Sequence, residues 1–174
     1  MSVCESAAVT LTAAAIHEFG HIAAIKLCGG RFHGIRLTFS GAEIDAALYG
    51  LSRWKRSIVY AAGALMNVIS GLIGLWLGFG DFFGLSMALA AVNLLPVKML
   101  DGGCVLAELV GCGSRLLDIL TALVVFLIWL AAVVVLLFTG SVSLWVFASY
   151  LFFEMYLRRR RYVPSSARKK GGTL

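Results

Sequence analysis

Long apolar runs separated by short polar or basic intervals set the pattern of this chain. A helix that crosses bilayer hydrocarbon needs about 20 mostly apolar residues. Residues 6–28 supply such a run, interrupted only by HEFGH at 17–21. Residues 57–79, SIVYAAGALMNVISGLIGLWLGF, form a second with one Asn. Residues 82–112 are apolar but broken by Pro96, Lys98 and Asp101, which predicts a discontinuous third segment. Residues 117–139 read as the cleanest span, and 142–157 as a shorter one carrying Glu154. Between the first two runs, FHGIRLTFSGAEI partly alternates apolar and polar residues around a Ser-Gly break. That predicts a short membrane-associated β-hairpin over about 31–45. The expected fold is an all-α polytopic membrane protein of about five segments, the third discontinuous, with the hairpin after the first.

Composition sharpens this picture. The 174 residues are 60% hydrophobic and 14% charged, with a mean hydropathy of +0.92. A soluble domain carries about a quarter charged residues to cover its surface, so this chain is expected to find its solvent in a bilayer. Its net charge of +6 is concentrated at Arg53, Lys55 and Arg56 and in a basic tail over 158–174, from Arg158 to Lys170. Nucleic acid is not the expected partner, because these clusters flank apolar segments and lack interleaved aromatic platforms. They read as topology signals and as contacts with anionic lipid.

Basic residues near segment ends orient the chain. Lys26, Arg31 and Arg36 follow the first segment, Arg53 to Arg56 precede the second, Arg115 precedes the fourth and the arginine run follows the fifth. The junctions at Gly80–Asp81 and at TGSVS carry no basic residue. One topology satisfies all of these: N-terminus outside, hairpin and C-terminal tail cytosolic, five crossings. MSVCESAAV has no basic stretch typical of a signal peptide, so the first segment is expected to remain in the mature protein. Cys4, Cys28, Cys104 and Cys112 show no CxxC spacing and read as reduced small hydrophobes.

The candidate chemistry lies in HEFGH. His17 and His21, four residues apart on a helix, share one face and can reach one metal ion. Glu18, about 100° further round, can hold and deprotonate a water beside it. This is the HExxH arrangement of zinc peptidases. Three His and five Glu scattered at random produce the pattern in about one chain per thousand. Ionisable groups at membrane depth cost roughly 2.5–3.5 kcal/mol each on insertion scales, so three together imply a role. The alternative is that Glu18 pairs with a cation and the two His bond to carbonyls.

Catalytic zinc commonly takes three protein ligands. His33, beyond Gly29–Gly30 in the predicted hairpin, is doubtfully placed for the third. Asp101 stands in another segment, AVNLLPVKMLDGGCVL, where Pro96 breaks the helix and Asp-Gly-Gly gives a flexible backbone that lets the carboxylate aim inward. Irregular backbone at this depth is tolerated only if buried in protein or lining a cavity. A salt bridge from Asp101 to Lys98 is the competing reading.

HEFGH followed roughly 80 residues later by N-x-x-P-x-x-x-x-D-G resembles the site-2 protease family of intramembrane zinc metalloproteases. The resemblance is closest to the bacterial branch of the stage IV sporulation protein FB type. It spans about residues 10–110 and includes GAEIDAALYGLSRWKRSIVYAAGALMN. The family's G-P-x-x-N motif reads here Gly63-Ala64-Leu65-Met66-Asn67, with Ala in place of Pro. The resemblance implies one Zn2+ per chain, held by His17, His21 and Asp101, with Glu18 as general base and proton donor. It matches Asn93 to the family's residue that contacts substrate or stabilises the oxyanion; a hydrogen bond between helices is the other reading. Asn67 reads as a structural polar contact between helices. Pro96 and Gly102–Gly103 are expected to shape the turn. Residues 1–157 would form the protease domain. The implied partner is a membrane-spanning or membrane-tethered protein, such as a transcription-factor precursor or an anti-sigma factor.

Two other classes fit part of the pattern. A metal transporter would also bury His and carboxylates in the membrane, but such proteins generally show repeated halves, and no internal repeat is visible here. A catalytically inactive scaffold of the same fold would have no need of an intact His17, Glu18, His21 and Asp101.

Overall fold

The structure is a computed structural model and describes residues 3–38, 41–48, 50–98, 100–110, 115–139, 145–146, 149–150 and 153. Most of the expected fifth segment, and all of the basic tail, lie outside the described residues. The order of elements is α1 (Val3–Cys28), β1 (Arg31–Thr38), β2 (Gly41–Ala47), α2 (Arg53–Trp76), α3 (Gly80–Asn93), α4 (Asp101–Val110) and α5 (Arg115–Thr139).

Among the described residues, three helices are long and apolar enough to cross a membrane: Cys4–Cys28, Arg53–Trp76 and Arg115–Phe138. The segment expected over 82–112 is indeed split. It forms α3, of 14 residues, and α4, of 10, each too short to span about 30 Å of hydrocarbon by itself. Large apolar side chains point outward, Trp76 at 85% exposure and Phe138 at 86% among them. An apolar surface of this extent requires an apolar surrounding or a partner.

The central helix is α2, which packs against α1, α3 and α4. Its inner face carries small residues at i, i+4 spacing, Gly63, Asn67 and Gly71, below Val59. Small side chains let backbones approach closely where no hydrophobic drive separates helix from lipid. Ser52 starts the helix, its Oγ accepting from the Lys55 backbone N–H at 3.4 Å. Lys55 Nζ in turn donates to the carbonyl of Cys28, the last residue of α1, at 3.1 Å. That bond places the end of α1 beside the start of α2, as antiparallel neighbours.

The predicted hairpin is present. β1 and β2 pair antiparallel from Arg31↔Ala47 to Thr38↔Gly41, with an irregularity between Phe32 and Gly34. Ala24, Ile25 and Val59 form a small apolar core, flanked by Cys28, Ala46, Leu48 and Ala62, where the hairpin meets α1 and α2.

Candidate metal centre

His17 and His21 stand one turn apart on the buried face of α1, at 7% and 8% exposure. Their Nε2 atoms are 3.2 Å apart. Asp101, the first residue of α4, brings Oδ2 to 3.0 Å from His17 Nε2 and 3.2 Å from His21 Nε2. Three potential ligand atoms from two distant parts of the chain thus form a nearly equilateral triangle.

The protonation options of this triangle include one that suits a cation. His21 Nδ1 lies 2.8 Å from the carbonyl oxygen of Val59, which only a protonated Nδ1 can approach as a donor. A neutral His21 then presents a bare lone pair at Nε2. Asp101 Oδ2 is buried and within ion-pair distance of both rings, yet receives no hydrogen bond. As placed, the two Nε2 atoms are in hydrogen-bond contact; with both Nδ1 atoms protonated, their lone pairs and that of Asp101 would converge instead, an arrangement that a positive charge between them relieves. In tetrahedral zinc sites with ligand bonds near 2.0–2.1 Å the ligand atoms are about 3.3 Å apart, close to the spacing here. The donor set of two imidazoles and one carboxylate therefore fits a divalent zinc-like ion.

His17 is held by a residue that sequence reasoning undervalued. Asn67 on α2 is fully buried, and its side-chain Nδ2 is placed 3.2 Å from His17 Nδ1, while Oδ1 has no partner. The two ends of a carboxamide are interchangeable by a flip. With the flip, His17 Nδ1–H donates to Asn67 Oδ1, the orphaned oxygen is satisfied, and His17 Nε2 is freed as a ligand. Asn67 is therefore more than a contact between helices: it orients an imidazole. The signal was available in the sequence, as the one amide in the small-residue stripe of a span.

Gly63, one turn from Asn67, leaves room for both rings. A Cβ built there would overlap His21 Nε2 and lie 2.7 Å from His17 Nε2. The close approach of α2 to the imidazole pair thus needs glycine at this position.

The Asp101 carboxylate is positioned by a turn that packs closely on the start of α4. Residues 94–100 connect α3 to α4, and Asp101 already belongs to α4. Gly102 and Gly103 sit in its first turn, where a Cβ would strike the carbonyl oxygens of Leu94 and Val97. These glycines serve close packing of helix on turn. The competing salt bridge does not form: Lys98 pairs with Asp118 of α5, and Asp101 faces the two His.

Glu18 is half-buried beside the triangle, and its carboxylate makes no hydrogen bond or ion pair among the described residues. Asn93 ends α3, and its side-chain N–H donates back to Leu89 O at 3.1 Å. That bond lies within its own helix and leaves one amide hydrogen uncommitted. His33 is exposed on β1, at the irregularity in the hairpin, and is not part of the cluster.

Comparison with protein-family models and with curated proteins finds no match. The functional reading therefore rests on the geometry of the site.

Proposed function

We propose that this chain is an intramembrane zinc metalloprotease of the site-2 protease type. It would hydrolyse a peptide bond within or next to a transmembrane segment of a membrane protein. The observation that carries this reading is the convergence of His17, His21 and Asp101 at 3.0–3.2 Å beside the unpaired Glu18 carboxylate. A transporter site has no use for an adjacent base that holds no partner.

His17, His21 and Asp101 would hold the ion, with Asn67 and the Val59 carbonyl fixing the two imidazoles. When bound, zinc supplies Lewis acidity that brings the pKa of water to about 7 and polarises a carbonyl. Glu18 takes a proton from the attacking water on a carboxylate oxygen as the water oxygen bonds to the scissile carbon. It returns that proton to the leaving nitrogen as the C–N bond breaks. Such proton transfer contributes typically a hundred- to ten-thousand-fold to rate.

In the orientation expected from the basic residues, the ends joined by Lys55 and Cys28 face the cytosol. His21 and His17 then lie about 10 to 17 Å along α1 from that end, at 1.5 Å per residue. Cleavage would occur inside the bilayer and release a fragment to the cytosol. Peptide carbonyls of a substrate helix are engaged within the helix, so it must unwind first. Among the described residues the sheet has two strands, and an edge of it would serve for strand addition by the extended peptide.

The test is cleavage of a membrane-tethered reporter by wild type and Glu18→Gln, with zinc measured in both. The expected result is equal zinc, with cleavage lost in the variant by about a hundred-fold or more. A Glu18→Gln variant that cleaves as well as wild type, or a wild type that holds no zinc, sinks the proposal.

A further inference from the structure

The segment before Asp101 is irregular backbone at membrane depth. Pro96 has no N–H to give, and the turn over 94–100 leaves the Pro96 carbonyl and the Lys98 N–H outside any helix ladder. In lipid such groups must be satisfied within the protein. One hydroxyl serves both: Thr121 Oγ1 accepts from Lys98 N–H at 3.2 Å and donates to Pro96 O at 3.3 Å. Thr121 is buried, at 3% exposure. Asp118, three residues earlier and on the same face of α5, receives the Lys98 ammonium. Thus α5, which carries no member of the His17–His21–Asp101 cluster, grips the turn that ends at Asp101.

We propose that Thr121 and Asp118 are positioning residues for Asp101. This rests on the metal-centre reading above and assigns α5 a part in it. The other end of α4 is fixed independently, by Glu108 to Arg56 of α2 at 2.7 and 2.9 Å. The α5 grip acts at the opposite end, on the turn that leads into the carboxylate. If the grip loosens, α4 stays docked through Glu108 while Asp101 drifts from the imidazoles, so metal affinity should fall before the fold does. Supporting groups of this kind typically change metal affinity by about 10- to 100-fold.

The experiment loads the full-length chain, in lipid nanodiscs, with cobalt(II), whose visible absorption reports its coordination, and follows its release to a chelator. Thr121→Val keeps the side-chain shape and removes the hydroxyl. It should retain helix content, alter the cobalt spectrum and release the ion about ten-fold or more faster than wild type. Thr121→Ser should return release to within about three-fold of wild type. Equal release by wild type and Thr121→Val overturns the inference, as does Thr121→Ser releasing as fast as Thr121→Val. If Thr121→Val does not fold, Asp118→Asn decides in the same assay: release about three-fold or more faster supports the grip, and release equal to wild type overturns it. Wild type that takes up no cobalt overturns the metal centre itself, and this inference with it.

Discussion

His17 and Asn67, 50 residues apart in sequence, meet in the interior with Nδ1 and the carboxamide 3.2 Å from each other. A candidate metal ligand on one helix meets an amide on the next. Replacing Asn67 by Leu keeps the volume and removes the acceptor, so His17 loses the bond that fixes its ring and tautomer. We expect zinc affinity to drop about 10- to 100-fold, with Asn67→Asp, which keeps an acceptor oxygen, less affected. Competition with a chelating dye measures this, and unchanged affinity in Asn67→Leu would remove Asn67 from the site.

Gly63→Ala tests the closeness of α2 to the two rings. The added methyl overlaps His21 Nε2, and overpacking of this kind costs about 1–3 kcal/mol. The expected outcome is a protein that still inserts but is depleted in zinc and inactive on the reporter. Full zinc occupancy would show that the helices separate readily. His33→Ala, on an exposed part of the hairpin, is expected to leave zinc unchanged.

The Arg56–Glu108 pair gives a stability prediction. Glu108 is buried, and the Arg56 guanidinium meets it with two hydrogen bonds while also donating to Leu51 O at 2.8 Å. Arg56→Met strands a buried carboxylate, which costs about 3–5 kcal/mol. Arg56→Met combined with Glu108→Met should recover most of that, because two apolar side chains need no partner there. Thermal unfolding in detergent of the three proteins checks it; a double variant no better than the single one would contradict the argument.

The hairpin prediction concerns substrate shape. A proline at position 35 or 37 of β1 removes a backbone donor and weakens strand pairing. If strand addition unwinds the substrate, such variants should lose cleavage of a helical membrane substrate while retaining cleavage of a short unstructured peptide. Equal cleavage of the helical substrate by wild type and variants would dismiss the hairpin from the mechanism.

Much of this protein was legible from local pattern. The apolar runs located every described helix to within a few residues, and Pro96 located the break between α3 and α4. The alternation over 32–44 found the hairpin. HEFGH marked His17, Glu18 and His21, because helical periodicity alone puts i and i+4 on one face. Helix type and the spacing of groups along one helix are short-range properties, set by residues within a turn or two of each other.

What needed the tertiary structure was every relation between helices. The choice of Lys98 between Asp101 and Asp118 depends on where α5 lies, and no spacing along the chain encodes that. Asn67 became an imidazole partner, and Gly63 a necessary gap, only once α2 was seen against α1. Arg56, read as a topology signal, also pairs with the buried Glu108 of α4. The Asp-Gly-Gly stretch, read as flexible, lies in the first turn of α4, where Gly102 and Gly103 pack on the turn before them. The sequence named the candidate ligands that share a helix; packing decided which carboxylate joins them and what holds it, because the length of a side chain lets one charge reach several partners and only the positions of neighbouring helices select among them.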